Sequence, residues 1–448
     1  MADAGLRGAR LQGRFAPACL APPAAANQSC AGRGPEVSDI ARIVILGAGQ
    51  AGGEAAQRLR TGGFKGELTL IGEEPYPPYQ RPPLSKKYLS GEMDLEHLLL
   101  RPPALYEEEN IAVLKGVRAV WVDRTTRRVR LEGGRELPYD ALILATGARA
   151  RKLPVAGADL GGVFVLRTIA DVDAIQKQFQ PGAKLAVIGA GFIGLEAAAI
   201  GRKMGLDVTV IEAAARPLAR VVSPETAGFY LDEHAAHGVR FALSAMPVII
   251  KGAERVRAVG MSDGAEIAAD IVIAGIGITP ETSLAQHAGL HVDDGIIVDR
   301  AARTSDHAIY AIGDCAKRPV HHYRDRLCRL ESVHNAIEGA KVVAATILGQ
   351  EPPHEEAPWF WSDQYDLKLQ IAGLFSGYDR IVRRGELKDR AFAHFYFAGE
   401  RLIAVDAVNK PGEYLGAKRL IEKDLKVSPE TLADNSVPMK TIVANAGS

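Results

Sequence analysis

Apolar, largely β-branched residues fill positions 43–46. They give way at Gly47-Ala48-Gly49-Gln50-Ala51-Gly52 to a stretch, 55–59, with the spacing of a helix. A second apolar run at 68–71 leads to Glu73. Strand, glycine turn, helix, strand and closing acid in that order predict a βαβ unit. The whole pattern returns once: apolar 185–188, then Gly189-Ala190-Gly191-Phe192-Ile193-Gly194, then apolar 208–211 and Glu212. Further apolar runs predict buried strands at 139–145, entering Ala145-Thr146-Gly147, at 271–278, ending at Gly275 and Gly277, and at 309–312, ending at Gly313-Asp314. The looser alternation of 111–131 predicts strands of a small antiparallel piece, and a helix is expected near 171–179.

The pattern changes from Ala357 onward, where aromatic residues concentrate. Segments 367–374, 379–384, 390–397 and 401–409 predict short strands, and 413–422 a helix, together a third, α+β domain. The last ten or so residues are expected to fray. Residues 1–38, rich in Ala, Gly, Pro and Arg without periodicity, predict disorder, as a non-native or upstream extension; the rival reading is a transit peptide, given Arg7, Arg10 and Arg14. The expected fold class is α/β: two Rossmann-like dinucleotide-binding domains plus a C-terminal α+β domain. Expected boundaries are 39–149 with 276–357 for one dinucleotide unit, 150–275 for the other, and 358–448 for the C-terminal domain.

Composition narrows the function classes. The chain has 448 residues, 47% hydrophobic and 24% charged, with no formal net charge. That length implies two to three domains. The charge balance gives no general attraction to nucleic acid. No apolar run reaches the roughly 18 residues of a membrane span, and a cytoplasmic location is expected. The cysteines, at 19, 30, 315 and 328, include no CxxC or close pair, which argues against a disulfide framework, a zinc site and a redox-active dithiol. Cys315 is expected to be a small buried packing residue.

The glycine fingerprints carry the chemistry. In the first, Gly47 turns the chain, Gly49 lets the backbone approach a pyrophosphate and Gly52 lets helix and strand pack closely; the diphosphate then lies on the positive end of the helix, and Glu73 accepts from ribose hydroxyls. Two such units imply two dinucleotides, most economically FAD on the first and a nicotinamide cofactor on the second. Glu212 would accept from the 2′- and 3′-hydroxyls and repel a 2′-phosphate. Residues 213–215 are all alanine and the first arginine is Arg216, so NADH is expected over NADPH. The proline-rich loop Pro75 to Lys86 is stiff, which suits holding Arg81 and Lys86 along a flavin; the plainer alternative is a connector with solvated charges.

Several separate motifs now add up to a family pattern: Arg81-Pro-Pro-Leu-Ser-Lys86, Ala145-Thr-Gly147, Leu166-Arg167-Thr168, the second fingerprint with Glu196, Ile312-Gly-Asp314, Arg329-Leu-Glu-Ser-Val333-His-Asn335, Trp359-Phe-Trp361-Ser-Asp-Gln364 and Val405-Asp-Ala-Val-Asn409. From about residue 40 to 425 the chain resembles the NADH-dependent ferredoxin reductases that serve cytochromes P450 and Rieske-type oxygenases. The resemblance implies a FAD domain split around an inserted NAD domain, with the C-terminal domain covering the flavin. It places Gly47, Gly49, Gln50, Ala51, Gly52, Glu73, Arg81, Ala119, Ala145, Thr146, Gly147, Arg167, Gly313 and Asp314 on FAD, with Val333 and Trp361 near its ring. Gly189, Gly191, Ile193, Gly194, Glu212 and Gly277 fall to NADH. Lys86 would sit by flavin N5 and pair with Glu196, the two residues assigned to catalysis; an ordinary first-turn helix acid is the plainer reading of Glu196. His334 departs from the pattern, since members of that family often carry Pro or another residue there.

The implied partner is a [2Fe–2S] ferredoxin feeding a P450 or Rieske oxygenase. NADH gives up two electrons as a hydride and such a ferredoxin takes one at a time, so a flavin is the natural converter. Arg324, Arg326, Arg383, Arg384, Lys410, Lys418 and Arg419 are candidate contacts for an acidic ferredoxin. Two other readings stay open. One is an NADH-binding signalling flavoprotein resembling apoptosis-inducing factor, and the other is an electron donor to a rubredoxin or a nitrite reductase.

Overall fold

The structure, a computed structural model, describes residues 40–447; the expectations for residues 1–38 lie outside the described residues. Its first sheet is wholly parallel, in the order 309–311, 141–144, 42–46, 67–72, 111–115. The strand Arg42–Leu46 lies at the centre, buried on both faces, which explains its unbroken apolar run. The helix Gln50–Thr61 follows it and packs through Ala55 and Leu59 against Ala340, Val343 and Ile347 of the long helix Val333–Ile347. The second sheet repeats this plan with strands 240–243, 207–212, 184–188, 271–274 and 163–165, all parallel.

The chain passes between these sheets twice. Both passages are tied into one antiparallel ribbon, Ala148–Ala150 against Ile278–Pro280. The third unit is a five-stranded antiparallel sheet in the order 359–364, 367–373, 401–408, 391–398, 380–386. One apolar cluster runs through all three units, joining Leu84 and Tyr88 to Val187 and Leu195 and to Leu367 and Phe392.

Several expectations need correction. The segment 111–131 is not one antiparallel piece: Ile111–Lys115 joins the first parallel sheet beside Leu68–Gly72, and only the strands 119–123, 128–131 and 136–138 are antiparallel. The helix expected at 171–179 runs Ile169–Gln176, because Thr168 and Asp171 form a reciprocal capping box. The tryptophan segment Trp359–Gln364 is itself a strand. The C-terminus is not frayed, since Met439–Ala446 is a helix with Met439 and Ile442 buried. Gly416 makes this packing possible, as a Cβ there would lie 2.5 Å from Met439 Cγ. Cys315 is free and buried, as expected.

A buried polar knot fastens the second unit to the third. Ser223 caps the helix Pro224–Ala236, and its N–H donates to Tyr396 Oη at 2.7 Å. His394 meets Thr226 Oγ1 at 2.8 Å and Asp406 at 3.3 Å through Nδ1, and Glu225 at 3.1 Å through Nε2. Burial opposes the charged imidazole, but the hydrogen bonds and charges of Asp406 and Glu225 outweigh it and raise the pKa. A histidine with a raised folded pKa contributes stability that is fully present below its unfolded value, about 6.5, and is lost as pH rises through the folded value. His394→Gln is therefore expected to cost more stability in acid than in alkaline buffer. Urea midpoints of both proteins measured across that range check this, and an equal cost at both ends would remove His394 protonation as the cause.

Candidate functional site

The C-terminal ends of the two parallel sheets face one another. Between them and the third sheet lies a cavity of about 2020 Å³. Its two ends are glycine turns of the same construction. Gly47 and Gly189 have φ of +115° and +101°, and a Cβ on either would meet a carbonyl oxygen, of Ala145 at 2.1 Å or of Gly275 at 2.5 Å. Gly52 and Gly194 do not line the cavity; each packs its Cα on the turn before it, where a Cβ would lie 1.9 or 2.1 Å from the carbonyl oxygen of Gly47 or Gly189.

Gly49 and Gly191 are the opposite case. A Cβ on either would meet nothing within 4 Å, and both border the cavity. Each is the N-cap of a twelve-residue helix with no side-chain cap and no acid in its first turn. Uncapped helix N–H groups beside open space are what a dinucleotide pyrophosphate needs, so the residues present fit two such cofactors.

The other expected residues fall around the same cavity: Gln50, Ala51, Glu73, Arg81, Lys86, Ala119, Ala145, Thr146, Gly147, Arg167, Gly313, Asp314, Val333 and Trp361 on one side, and Ile193, Glu196, Glu212 and Gly277 towards the second turn. Many are already held by neighbours. Arg167 Nη2 donates to Asp314 Oδ2 at 2.9 Å and Nε to the Ala148 carbonyl at 3.2 Å. Arg81 reaches Glu74 at 2.7 Å, Tyr79 Oη at 2.9 Å and the Arg167 carbonyl at 2.7 Å, so it braces the loop as well as bordering the cavity. Glu73 pairs with Arg149 at 2.8 Å, and Arg149 with Glu281 at 2.5 Å. Neither Arg149 nor Glu281 was singled out from the sequence as part of a site.

At the centre, Lys86 Nζ lies 2.8 Å from Glu196 Oε2. Glu196 is 2% exposed and accepts from Ser85 Oγ at 2.5 Å and from Ser362 Oγ at 2.6 Å. Burial pushes the Glu196 carboxyl up, and the Lys86 charge and the three hydrogen bonds oppose that push. Ser85 stands inside a quoted motif, but nothing in the sequence pairs it, or Ser362, with Glu196.

The aromatic wall is Trp361, with its ring 5.6 Å from that of Trp359, and Phe360, whose ring is tilted by 34° against that of Phe192 at 4.7 Å. His334 is buried 5.4 Å from Trp359, and burial pushes its imidazole down to about 4. Glu331, beside Val333, also faces the cavity; burial raises its carboxyl against the pull of Arg329. Among the candidate docking cations Arg384 is not at the surface. It is 4% exposed and donates to the carbonyls of Leu432, Asp434 and Val437.

At the second turn Glu212 Oε2 accepts from Ala190 N at 2.7 Å and Oε1 from Ala214 N at 2.8 Å. Arg216 does not turn back towards it, because its guanidinium donates to the carbonyls of Ala219, at 3.0 Å, and Val222.

Two dinucleotide folds opening on one cavity, with a third unit over its centre, have the layout of an oxidoreductase that uses two dinucleotide cofactors. Comparison with known proteins narrows this. Residues 41–340 match the pyridine nucleotide–disulphide oxidoreductase model and residues 359–443 the reductase C-terminal model. The chain is 46% identical to rhodocoxin reductase of Rhodococcus erythropolis, over 90% of this chain and 94% of that protein. It is 44% identical to putidaredoxin reductase of Pseudomonas putida, over 90% and 97%. The reductase in the covalent putidaredoxin reductase–putidaredoxin complex superposes with a TM-score of 0.89 at 43% identity, covering 91% of this chain and 99% of that one. The chain belongs to the pyridine nucleotide–disulphide oxidoreductases and, among them, to the FAD- and NAD(H)-using ferredoxin reductases related to putidaredoxin reductase.

Proposed function

We propose that this protein passes electrons from NADH, by way of FAD, to a [2Fe–2S] ferredoxin that feeds a cytochrome P450 or Rieske-type oxygenase. The observation that carries this reading is the buried Lys86–Glu196 pair, set between two glycine cradles in a single cavity that the Trp359–Gln364 strand closes. Relatives matched over nearly their whole length bear the names rhodocoxin reductase and putidaredoxin reductase, and a putidaredoxin reductase is solved in covalent complex with putidaredoxin.

In this reading the first cradle, with Glu73, Arg167 and Asp314, holds FAD, and the second cradle, with Glu212, holds NADH. FAD supplies the conversion between a two-electron donor and a one-electron acceptor. The protein's own part is positional and electrostatic. Lys86 brings a cation to the centre of the cavity, Glu196 fixes where it points, and the aromatic wall keeps water from the reacting edge. The domains follow as 39–149 with 276–357 for FAD, 150–275 for NADH and 358–448 for the cover. A cytoplasmic location belongs to the same proposal; among the described residues no helix is long and apolar enough to cross a membrane.

Anaerobic stopped-flow tests this: rapid bleaching of the flavin band by NADH, then reoxidation by a [2Fe–2S] ferredoxin. Purification without flavin would overturn the cofactor assignment, and reduction without transfer to any ferredoxin would overturn the acceptor. For cofactor choice, Glu212→Ser is expected to lower the NADH-to-NADPH preference in kcat/KM by on the order of tenfold, since it removes the anion that faces a 2′-phosphate. An unchanged ratio would place discrimination elsewhere.

A further inference from the structure

Glu196 stands at the end of a longer buried chain of hydrogen bonds that none of the roles above uses. Ser362 Oγ, which donates to Glu196 Oε1 at 2.6 Å, itself accepts from Gln364 Nε2 at 3.1 Å. Gln364 Oε1 lies 2.8 Å from His234 Nε2, and His234 Nδ1 lies 3.0 Å from Tyr365 Oη. Tyr365 stacks on the exposed ring of His237 with the centroids 3.7 Å apart. His234 and Ser362 are fully buried, and Gln364 is 1% exposed.

The partners fix every proton. An amide oxygen only accepts, so His234 carries its proton on Nε2, and its bare Nδ1 accepts from the tyrosine hydroxyl. The Gln364 amide then turns its NH₂ to Ser362, and the Ser362 proton is left for Glu196. Burial pushes the His234 imidazole down to about 4, so it is neutral and keeps a single N–H at ordinary pH. All four links thus donate in one direction, towards the carboxylate, and aligned links of this kind strengthen one another in a poorly solvated interior.

We propose that His234, on the helix Pro224–Ala236 of the second unit, is a positioning residue: by locking the Gln364 amide it aims the Ser362 hydroxyl at Glu196 and so holds the Glu196 carboxylate, and with it Lys86, in place. Without the Nε2–H donor the amide can flip and offer its oxygen to Ser362, whose proton then leaves Glu196. The same chain couples the nucleotide unit that carries His234 to the centre of the cavity through the cover sheet. The inference rests on the reading of Lys86 and Glu196 given above.

The test combines reduction kinetics with ring ¹⁵N NMR of the holoenzyme. The His234 ring is expected to show a protonated Nε2 and a bare Nδ1. H234L is expected to slow flavin reduction by NADH about tenfold with NADH affinity unchanged, the scale of one lost hydrogen bond to a charged group. H234Q, which keeps a donor at the position of Nε2, should restore the rate, and S362A should match H234L. The double variant H234L/S362A should be no slower than S362A alone. A wild-type rate in H234L where E196Q is slow, additive losses in the double variant, or a proton on Nδ1 would each overturn the relay alone. A wild-type rate in E196Q would overturn the Lys86–Glu196 reading, and the relay with it.

Discussion

Replacing Lys86 by methionine is expected to cost about 3–5 kcal/mol of stability near neutral pH, the scale for removing one partner of a buried ion pair. Methionine fills similar space, so packing is largely kept. What is lost is the cation 2.8 Å from a carboxylate that is 2% exposed. Burial already raises the Glu196 pKa, and the Lys86 charge is the leading force against it. In Lys86→Met the folded value rises further. An acid with a raised folded pKa binds its proton more tightly when folded, so the penalty grows as pH climbs from the unfolded value, about 4.3, through the folded one. Urea unfolding at pH 5 and pH 8 should show a smaller deficit in acid. Equal deficits would mean that the uncompensated carboxylate is not the cause. Glu196→Gln should cost less, since Lys86 keeps 18% side-chain exposure and can turn towards water.

Gly49→Leu is expected to abolish flavin retention and leave the fold intact. The residue has φ −90° and ψ −162°, open to any amino acid, and its Cβ would meet no protein atom within 4 Å. The side chain would instead enter the space in front of the helix N-terminus where a diphosphate belongs. A fall in FAD affinity on the order of a hundredfold or more is anticipated, because the phosphates lose the helix N–H groups. Gly191→Leu should keep the flavin and lose NADH. Flavin content after gel filtration and the Tm of the apoproteins check both. Stoichiometric FAD on Gly49→Leu would move the flavin off the first cradle.

The fold was legible where local patterns carried it. The fingerprints, the strands at 139–145 and 309–312 and the acids Glu73 and Glu212 all come from short-range chemistry, and each is found where its spacing put it. Segment 111–115 was misread because its looser alternation does not tell a parallel edge strand from an antiparallel one; the pairing of Leu68 with Ile111 decides it. The terminal helix escaped because its stability lies in the packing of Met439 and Ile442 on the helix Pro411–Glu422, a tertiary contact that its own sequence does not show. The same holds for the site. Lys86 and Glu196 came from a family pattern, but Ser85, Ser362, Gln364 and His234 are brought to Glu196 only by the packing of three separate units. Arg149 was not legible, because its pairing with Glu73 and Glu281 needs both passages between the sheets.

Those two passages bear on the order in which the protein can be made. The edge strand Ile309–Ala311 completes the first sheet only after the whole second sheet, residues 163–274, has been synthesised. On the ribosome the second unit can close as soon as its own strands emerge, while the first waits with the edge of Ala141–Leu144 unpaired. The insertion thus folds as a plug whose ends, once joined in the ribbon of Ala148–Ala150 and Ile278–Pro280, shorten the loop that the first unit must close. A nascent chain arrested before Ile309 should expose that edge to chaperones, and one released past it should not.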